Sequence, residues 1–465
     1  MTARQNSRPT GDLAVGAYAV NVTPLEPAFL YGYPHVLRTS TGVHDPLLAS
    51  AMYLHDGERA VLFVSVDVIW LSKQLVAAAR ERIQAAIGLL PKSVMIAATH
   101  THSGPVTVSM VSNADDPAVP PPDPAYLDQL LDGIVTAAVE AYRRSEPAEM
   151  AFVTAECAGI GGNRHDRDGA TVHEIPIVAA RSLSDPVQWL AVMYINRVHP
   201  TVLHEDSTLI SGDFPGMCRE YLQAELLGKD CPVLCHLGAA GNQSPRNVTR
   251  ANDYAEARRL GELLGESVLL SLETAEFRRD WIVAAESSST TFPVRRIPTL
   301  TAAEELRASL IDRLSNLRAT DAERSRVRTA ECAVFGAEET VCLARAAASG
   351  ELQAAVEACL PAEIQIIWLD KLCFVGWPGE VFAEFALRVR NSNSNAHVMT
   401  LANGELQGYI VTEDAIRQHA YEASNAVFSS PEAGEALVRE TLSLFARSGE
   451  NWHTEPALVW SSVSS

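Results

Sequence analysis

The run Val94-Met95-Ile96-Ala97-Ala98-Thr99-His100-Thr101-His102-Ser103-Gly104-Pro105 passes from five apolar residues straight into a polar cluster. A short apolar run closed by a Gly-Pro signal reads as a buried strand. Sites in α/β folds gather beyond strand ends, so the polar end is a candidate site. Two histidines one residue apart in extended backbone lie on the same face, because side chains alternate with period two. Such a pair can share a metal, or one ring can ligate while the other carries protons. Two polar histidines at a strand-to-loop junction are the plain alternative.

Working outward, strands and helices alternate. Met52 to Leu54 and Ala60 to Val66 flank the turn Asp56-Gly57-Glu58, a hairpin signature. A helix is predicted from Lys73 to Ile87, with Val76, Ala79, Ile83 and Ile87 on one face. Further helices are predicted near 125–144, 214–227, 251–273, 302–317 and 434–447. A second hairpin, Glu363 to Leu369 and Leu372 to Gly376, turns at Asp370-Lys371. This mixture predicts an α/β fold: a single large domain with mixed β-sheets flanked by helices, plus a helical excursion around 302–360. The proline-rich stretch 115–124 reads as a rigid surface loop, and no repeat of fixed period stands out.

Composition narrows the function. The 37 Lys+Arg against 57 Asp+Glu give a net charge of −20, without the basic footprint of a nucleic-acid binder. Anionic bilayers would repel such a chain, so no stable membrane association is expected. Residues 1–20 lack the apolar core of a secretory signal, and Ala60 to Leu71 is interrupted and too short to span a bilayer. Eight cysteines in 465 residues are too sparse for a disulfide scaffold. Reduced thiols in a cytoplasmic protein are the expectation.

Four more segments carry polar chemistry. Tyr194-Ile195-Asn196-Arg197-Val198-His199 is a strand ending in histidine, followed by Ile210-Ser211-Gly212-Asp213 leading into a helix. Val233-Leu234-Cys235-His236-Leu237 runs into Gly241-Asn242-Gln243-Ser244-Pro245, where small residues permit close approach to a ligand and Ser244 is a candidate nucleophile or hydrogen-bonding group. The Gly-x-Ser-x-Gly elbow and the Lys-Ser/Thr of a phosphate loop are both missing from this turn. Gly376-Trp377-Pro378-Gly379-Glu380 turns a strand into a helix with Glu380 near its start, a position the helix dipole favours in any case. Last come Gly408-Tyr409-Ile410-Val411-Thr412 and Tyr421-Glu422.

In order along the chain, these segments resemble the neutral/alkaline non-lysosomal ceramidase family. That family's His-Thr-His-Ser-Gly-Pro motif stands intact at 100–105, and its Val-His, Ser-Gly-Asp, Ser-Pro, Pro-Gly-Glu, Tyr-Ile/Val-Thr and Tyr-Glu segments have counterparts from 198 to 422. The resemblance implies a zinc-dependent hydrolase that cleaves a carboxamide by metal-activated water, with one Zn2+ per chain. It implies His100, His199, Glu380 and Tyr409 as ligands, and His102 as the proton-handling histidine. Arg164 and Tyr421 would hold the developing oxyanion, and Ser244 would line the site. Ligand spacings of 99, 181 and 29 residues would not have revealed this set unaided. The resemblance further implies a flexible N-terminus over 1–13, a catalytic domain over 14–450 and a tail over 451–465.

Three departures shape the expectation. The secreted members carry a signal peptide and a C-terminal immunoglobulin-like domain, neither of which is read here. Asn242 and Gln243 replace the family's Asp and Val, which should alter polarity beside Ser244. The acidic charge argues against membrane ceramide, so a small soluble N-acyl amine is the expected partner. Two other readings stay open: an esterase or amidase using Ser244 as nucleophile with His102 as base, and a zinc-stabilised binding protein without turnover. A homo-oligomer stays open as well. Pocket size is expected to depend on the loops near 106–124 and 165–175.

Overall fold

A computed structural model describes residues 13–33, 35–428 and 430–451. The chain folds into four layers, helices on sheet on sheet on helices. The large sheet holds β1 (Ala14–Asn21), β2 (Leu48–His55), β3 (Ala60–Val66), β4 (Val94–Ala98), β5 (Glu146–Glu156), β6 (Glu174–Ser182), β7 (Trp189–Asn196) and β8 (Val233–Leu237). Their spatial order is β8-β7-β6-β5-β1-β2-β3-β4. The small sheet runs β9-β10-β11-β12, from Val283–Thr290, Ala362–Leu369, Leu372–Gly376 and Ala396–Met399.

Period-two alternation builds the layers. On β3, Leu62, Val64 and Val66 face α1 (Lys73–Ile87) and α2 (Pro124–Arg143), while Phe63 faces the small sheet. There Phe63 meets Phe374 edge to face, ring centroids 5.6 Å apart. The β5–β8 half is covered by α3 (Asp213–Leu222) and α4 (Tyr254–Leu272). α5 (Leu300–Ala319) and α6 (Arg324–Ser349) form the expected helical excursion with α7 (Glu351–Cys359). The outer face of the small sheet packs on α6, α7, α8 (Ala383–Ser392) and the long helix Pro431–Asn451.

Both predicted hairpins and the predicted helices stand, within a few residues at their ends. Strands β1, β5, β6, β9 and β12 had no counterpart in the sequence reading. β9 runs Ala284-Ala285-Glu286-Ser287-Ser288-Ser289 through its middle, too polar to announce a strand, and its place is set by full pairing with β10. The tails 1–13 and 451–465 lie outside the described residues except for Leu13, which is fully buried, and Asn451. All eight cysteines are free. Among the described residues, no helix is long and apolar enough to cross a membrane.

The feature that positions the site is a set of three parallel pairs, β3/β4, β7/β8 and β11/β12. Parallel neighbours end at the same edge, so the segments following β4, β7, β8, β11 and β12 leave together. Cross-sheet hydrogen bonds lock that edge: Thr400 N donates to Leu237 O at 2.7 Å and Asn403 N to Ile96 O at 2.7 Å. The two sheets thus meet where the polar segments begin.

Candidate metal centre

The three histidines converge. His100 Nε2 lies 3.1 Å from His199 Nε2 and 3.3 Å from His102 Nε2. Glu380 Oε2 stands 3.1 Å from His100 Nε2 and 3.0 Å from His199 Nε2. Among the described residues, the ligand atoms of His100, His102 and His199 all fall within 4.8 Å of one another.

Their tautomers follow from the backbone. His100 Nδ1 meets Ile69 O at 2.9 Å, His102 Nδ1 meets Gly32 O at 3.0 Å, and His199 Nδ1 meets Ala240 O at 2.7 Å. A carbonyl can only accept, so each Nδ1 carries the proton and each Nε2 presents a lone pair. Burial holds His199 down to about 4 and His102 well below the usual imidazole range, so both are neutral at pH 7. Neutral imidazoles aiming lone pairs at one another repel unless a cation sits among them. Backbone acceptors behind ligating rings are the usual outer support of a metal site, and imidazoles with one carboxylate suit zinc or a similar ion. The donor set fits a divalent metal.

The carboxylate is prepared in the same way. Its Oε2 faces the Nε2 lone pairs of His100 and His199 at 3.1 and 3.0 Å, acceptor against acceptor, an arrangement that a cation between them would reconcile. Trp70 Nε1 donates to Glu380 Oε1 at 3.2 Å, leaving Oε2 for the centre. Here the sequence reading needs correcting, because Glu380 precedes α8 rather than sitting in it. It forms a two-residue parallel bridge in which Glu380 pairs with Tyr409 and Val381 with Ile410. That register, not a helix dipole, brings Glu380 and Tyr409 together.

A second correction concerns the His-x-His pair. The ladder of β4 ends at Ala98, and His100 takes φ +71°, in the left-handed region. Such a conformation costs about 1–3 kcal/mol and persists only where surroundings enforce it. His100 N bonded to Val68 O at 3.0 Å and Nδ1 bonded to Ile69 O provide that enforcement. The rings of His100 and His102 therefore meet edge-on at 89° instead of standing side by side on one strand face.

Above the centre opens a cavity of about 930 Å3, lined by His102, Arg164, His199, Ser244, Tyr409 and Tyr421. Six of the eight residues implied by the family resemblance thus share one wall, while His100 and Glu380 lie behind it. Arg164 is paired with Glu422 at 2.6 Å, donates to Gly241 O at 2.7 Å, and sits over the Tyr409 ring at 5.5 Å. Although burial opposes its charge, the Glu422 carboxylate keeps Arg164 firmly protonated. Burial raises the Tyr409 and Tyr421 phenols well above their usual range, aided by Glu380 at Tyr409 and Glu339 at Tyr421, so both carry their protons. A Tyr409 tyrosinate requires positive charge beyond Arg164.

Ser244 Oγ accepts from Arg246 N at 3.2 Å, capping a short turn, and among the described residues no imidazole bonds to it. Asn242 differs from the expectation of altered polarity at the site. Its side chain turns away from the cavity, donating to Glu384 Oε2 at 2.9 Å and accepting from Ala383 N at 3.0 Å, at the start of α8. Among the described residues, the loops 106–124 and 165–175 do not line the large cavity; Gly32, Tyr33, Val36, the segments around His204 and Arg250, and α6 do so instead.

The sequence reading missed Trp70, Gly32 and Glu422. Glu422 follows Tyr421 and was visible as its neighbour, whereas nothing local marked Trp70 or Gly32.

Residues 14–168 match the sequence profile of the family described as neutral/alkaline non-lysosomal ceramidase, N-terminal. Over parts of its length the chain is similar to neutral ceramidases. It is 24% identical over 230 residues to Neutral ceramidase 1 of Arabidopsis thaliana, covering 45% of this chain and 29% of that protein. It is 28% identical over 170 residues to Neutral ceramidase B of Dictyostelium discoideum, covering 35% and 23%. The chain therefore matches less than a third of the length of either relative. The crystal structure of neutral ceramidase from Pseudomonas aeruginosa superimposes with a TM-score of 0.72 at 17% identity, over 98% of this chain and 77% of that one. A ceramidase complexed with C2 gives 0.72 at 16% identity, over 97% and 78%. These two likenesses establish a shared fold. The profile match contains His100, His102 and Arg164 but ends before His199, Glu380, Tyr409 and Tyr421, which are joined to them by the fold.

Proposed function

We propose that the protein is a metal-dependent amide hydrolase of ceramidase type, with zinc as the metal and one ion per chain. The observation that carries this reading is the convergence of three Nε2 lone pairs and the Glu380 carboxylate beneath a cavity faced by Arg164 and Tyr421. A divalent ion bound there would act as a Lewis acid and bring the pKa of water to about 7. His100, His199 and Glu380 would hold it, with the Tyr409 phenol as a further, weaker donor.

The remaining chemistry belongs to the chain. His102 is 9% exposed against 0% for His100 and 1% for His199, so it is the imidazole that faces substrate. Its Nε2 takes the proton of the attacking water and returns it to the departing nitrogen, so water and amide become carboxylic acid and amine. Tyr421 donates its phenolic proton as a hydrogen bond to the oxygen that gains charge, and Arg164 supplies fixed positive charge beside it. Glu422 keeps Arg164 in place. The serine-nucleophile alternative loses support, because Ser244 lacks the hydrogen-bonded base that route requires.

The substrate is a small, soluble N-acyl amine in preference to membrane ceramide. Support comes from the polar and charged residues Glu205, Asp206, Asn247 and Arg250 in the lining of the cavity, and from the net charge of −20. A cytoplasmic location belongs to the same proposal and rests on eight unpaired cysteines.

The test is elemental analysis of purified protein beside His100→Ala, Glu380→Gln and His102→Ala, with hydrolysis of short N-acyl amines measured in parallel. About one zinc per chain, lost in the first two variants and kept in the third, is the expected result. Loss of metal in His102→Ala would instead make His102 a third imidazole ligand. A folded wild type that takes up no metal would refute the mechanism.

A further inference from the structure

Ser211-Gly212-Asp213 takes no part in the proposed chemistry, yet all three residues are buried. They lie where two histidine loops need joining. The loop with His100 leaves β4 and the loop with His199 leaves β7, and these strands stand at one edge of the large sheet and next to the other. No ladder between the two strands sets the separation of the rings.

The segment 211–213 is bonded to both loops. On one side, Ser211 N donates to Ser103 O at 3.1 Å and Ser211 O accepts from Thr101 Oγ1 at 2.6 Å, holding the residues on either side of His102. On the other, Asp213 Oδ2 accepts from Val202 N at 3.1 Å and Leu203 N at 2.9 Å. Those two residues continue a turn that Thr201 N closes onto His199 O at 2.9 Å.

Side chains stiffen the joint. Asp213 N donates to Ser211 Oγ at 3.0 Å, and Asp213 Oδ1 accepts from Phe214 N at 2.6 Å. Asp45 grips the segment from outside, accepting from Ser211 Oγ at 2.5 Å and Gly212 N at 2.7 Å. A parallel bridge pairing Leu209 with Gly42 and Ile210 with Val43 delivers Asp45 there. Asp213 has φ +56°, a left-handed turn that Asp and Asn tolerate better than other side chains. Its side chain meets backbone N–H donors from 202, 203 and 214, so both oxygens serve as acceptors.

We propose that Asp213 is a positioning residue for the metal centre: through Ser211 it ties the His199 loop to the His100–His102 loop and fixes the separation at which their rings share an ion. The inference rests on the metal-dependent reading above and adds residues that touch neither ion nor substrate.

The experiment is zinc titration of the purified full chain in competition with a chelating indicator. Asp213→Asn keeps the volume and the left-handed preference but puts an N–H among those donors. Its zinc dissociation constant should rise roughly tenfold or more, the scale seen when support behind a metal site is lost. Thr101→Val, which cuts the bond to Ser211 O, should weaken zinc binding in the same direction. Because both variants release one joint, the double variant should bind no more than about threefold worse than Asp213→Asn, whereas independent sites would multiply. Ile83→Ala in the α1 layer, bonded to neither loop, gauges what lost stability does alone and should leave zinc binding near the wild-type value. An unchanged constant in Asp213→Asn, a loss matched by Ile83→Ala, or a multiplying double variant would each overturn the proposal. If Asp213→Asn does not fold, Ser211→Ala, which keeps the backbone bonds, takes its place. If the wild type takes up no zinc, the metal reading fails separately and crystal structures decide the joint. The 3.1 Å between His100 Nε2 and His199 Nε2 should then widen by about 1 Å in Asp213→Asn, and an unchanged separation overturns the proposal.

Discussion

The large cavity has two walls made of opposite materials. On one side, His199, Tyr409 and His102 hang from strand ends whose backbones are bonded to each other across two sheets. On the other, Val327, Cys332 and Phe335 project from α6, which is tied to its surroundings through side chains, such as His35 Nε2 to Glu338 Oε2 at 2.9 Å and Thr340 Oγ1 donating to Ser424 O at 2.7 Å. Groups that must keep sub-ångström geometry sit where backbone carbonyls aim them. Groups that only shape the space sit on a helix whose side chains can change without moving a strand. Under the proposed function, reaction chemistry and substrate choice are therefore separable in this molecule.

The largest expected effect tests the rigid wall. His102→Ala should lower kcat/KM by roughly 10²–10⁴, the range for a lost proton carrier, while metal content stays at the wild-type level. Next is the support behind that wall. Burial favours a neutral Glu422, but Arg164 and His165 hold it down to about 2, against an unfolded value near ~4.3. Between those two pH values the unfolded chain binds the proton and the folded one does not, so stability falls as pH falls through that window. Glu422→Gln leaves Arg164 buried and unpaired, so urea unfolding at pH 7 should show a loss of about 3–5 kcal/mol. That gap from wild type should narrow towards pH 2.

A smaller effect should follow from the loop that carries Gly32, which has φ +130° and where an added Cβ would stand 2.4 Å from His102 Nδ1. Gly32→Ala should push His102 off position and lower kcat by up to about 10²-fold with metal content unchanged. Loss of metal instead would show that His102 ligates. The smallest change belongs to the helical wall. Phe335→Ala should raise KM a few-fold, about 1 kcal/mol, and leave kcat near the wild-type value. A large fall in kcat there would erase the distinction between the two walls.

Legibility in the sequence follows the same division. Helix Lys73–Ile87 and the hairpin at Asp370-Lys371 were readable because their periodicity and turn residues are local. Strand β9 and the bridge between Glu380 and Tyr409 were not, since each is held by pairing with a distant segment. The eight site residues came from motif resemblance, and none of their spacings marked a metal centre. Trp70 carried no local mark whatever; it matters through Glu380, 310 residues away along the chain.

By itself the sequence determined the kind of fold, the polar strand ends and the acidic net charge, because apolar periodicity and charge are properties of the residues along the chain. The tertiary structure decided which strand ends meet and which ring nitrogens carry protons. Those depend on parallel strands ending at a common edge and on carbonyls brought from far along the chain. The left-handed turn at His100 is the clearest case: an extended pair would have sent both rings to one face, and only the enclosing backbone of Val68 and Ile69 turns them onto a common point.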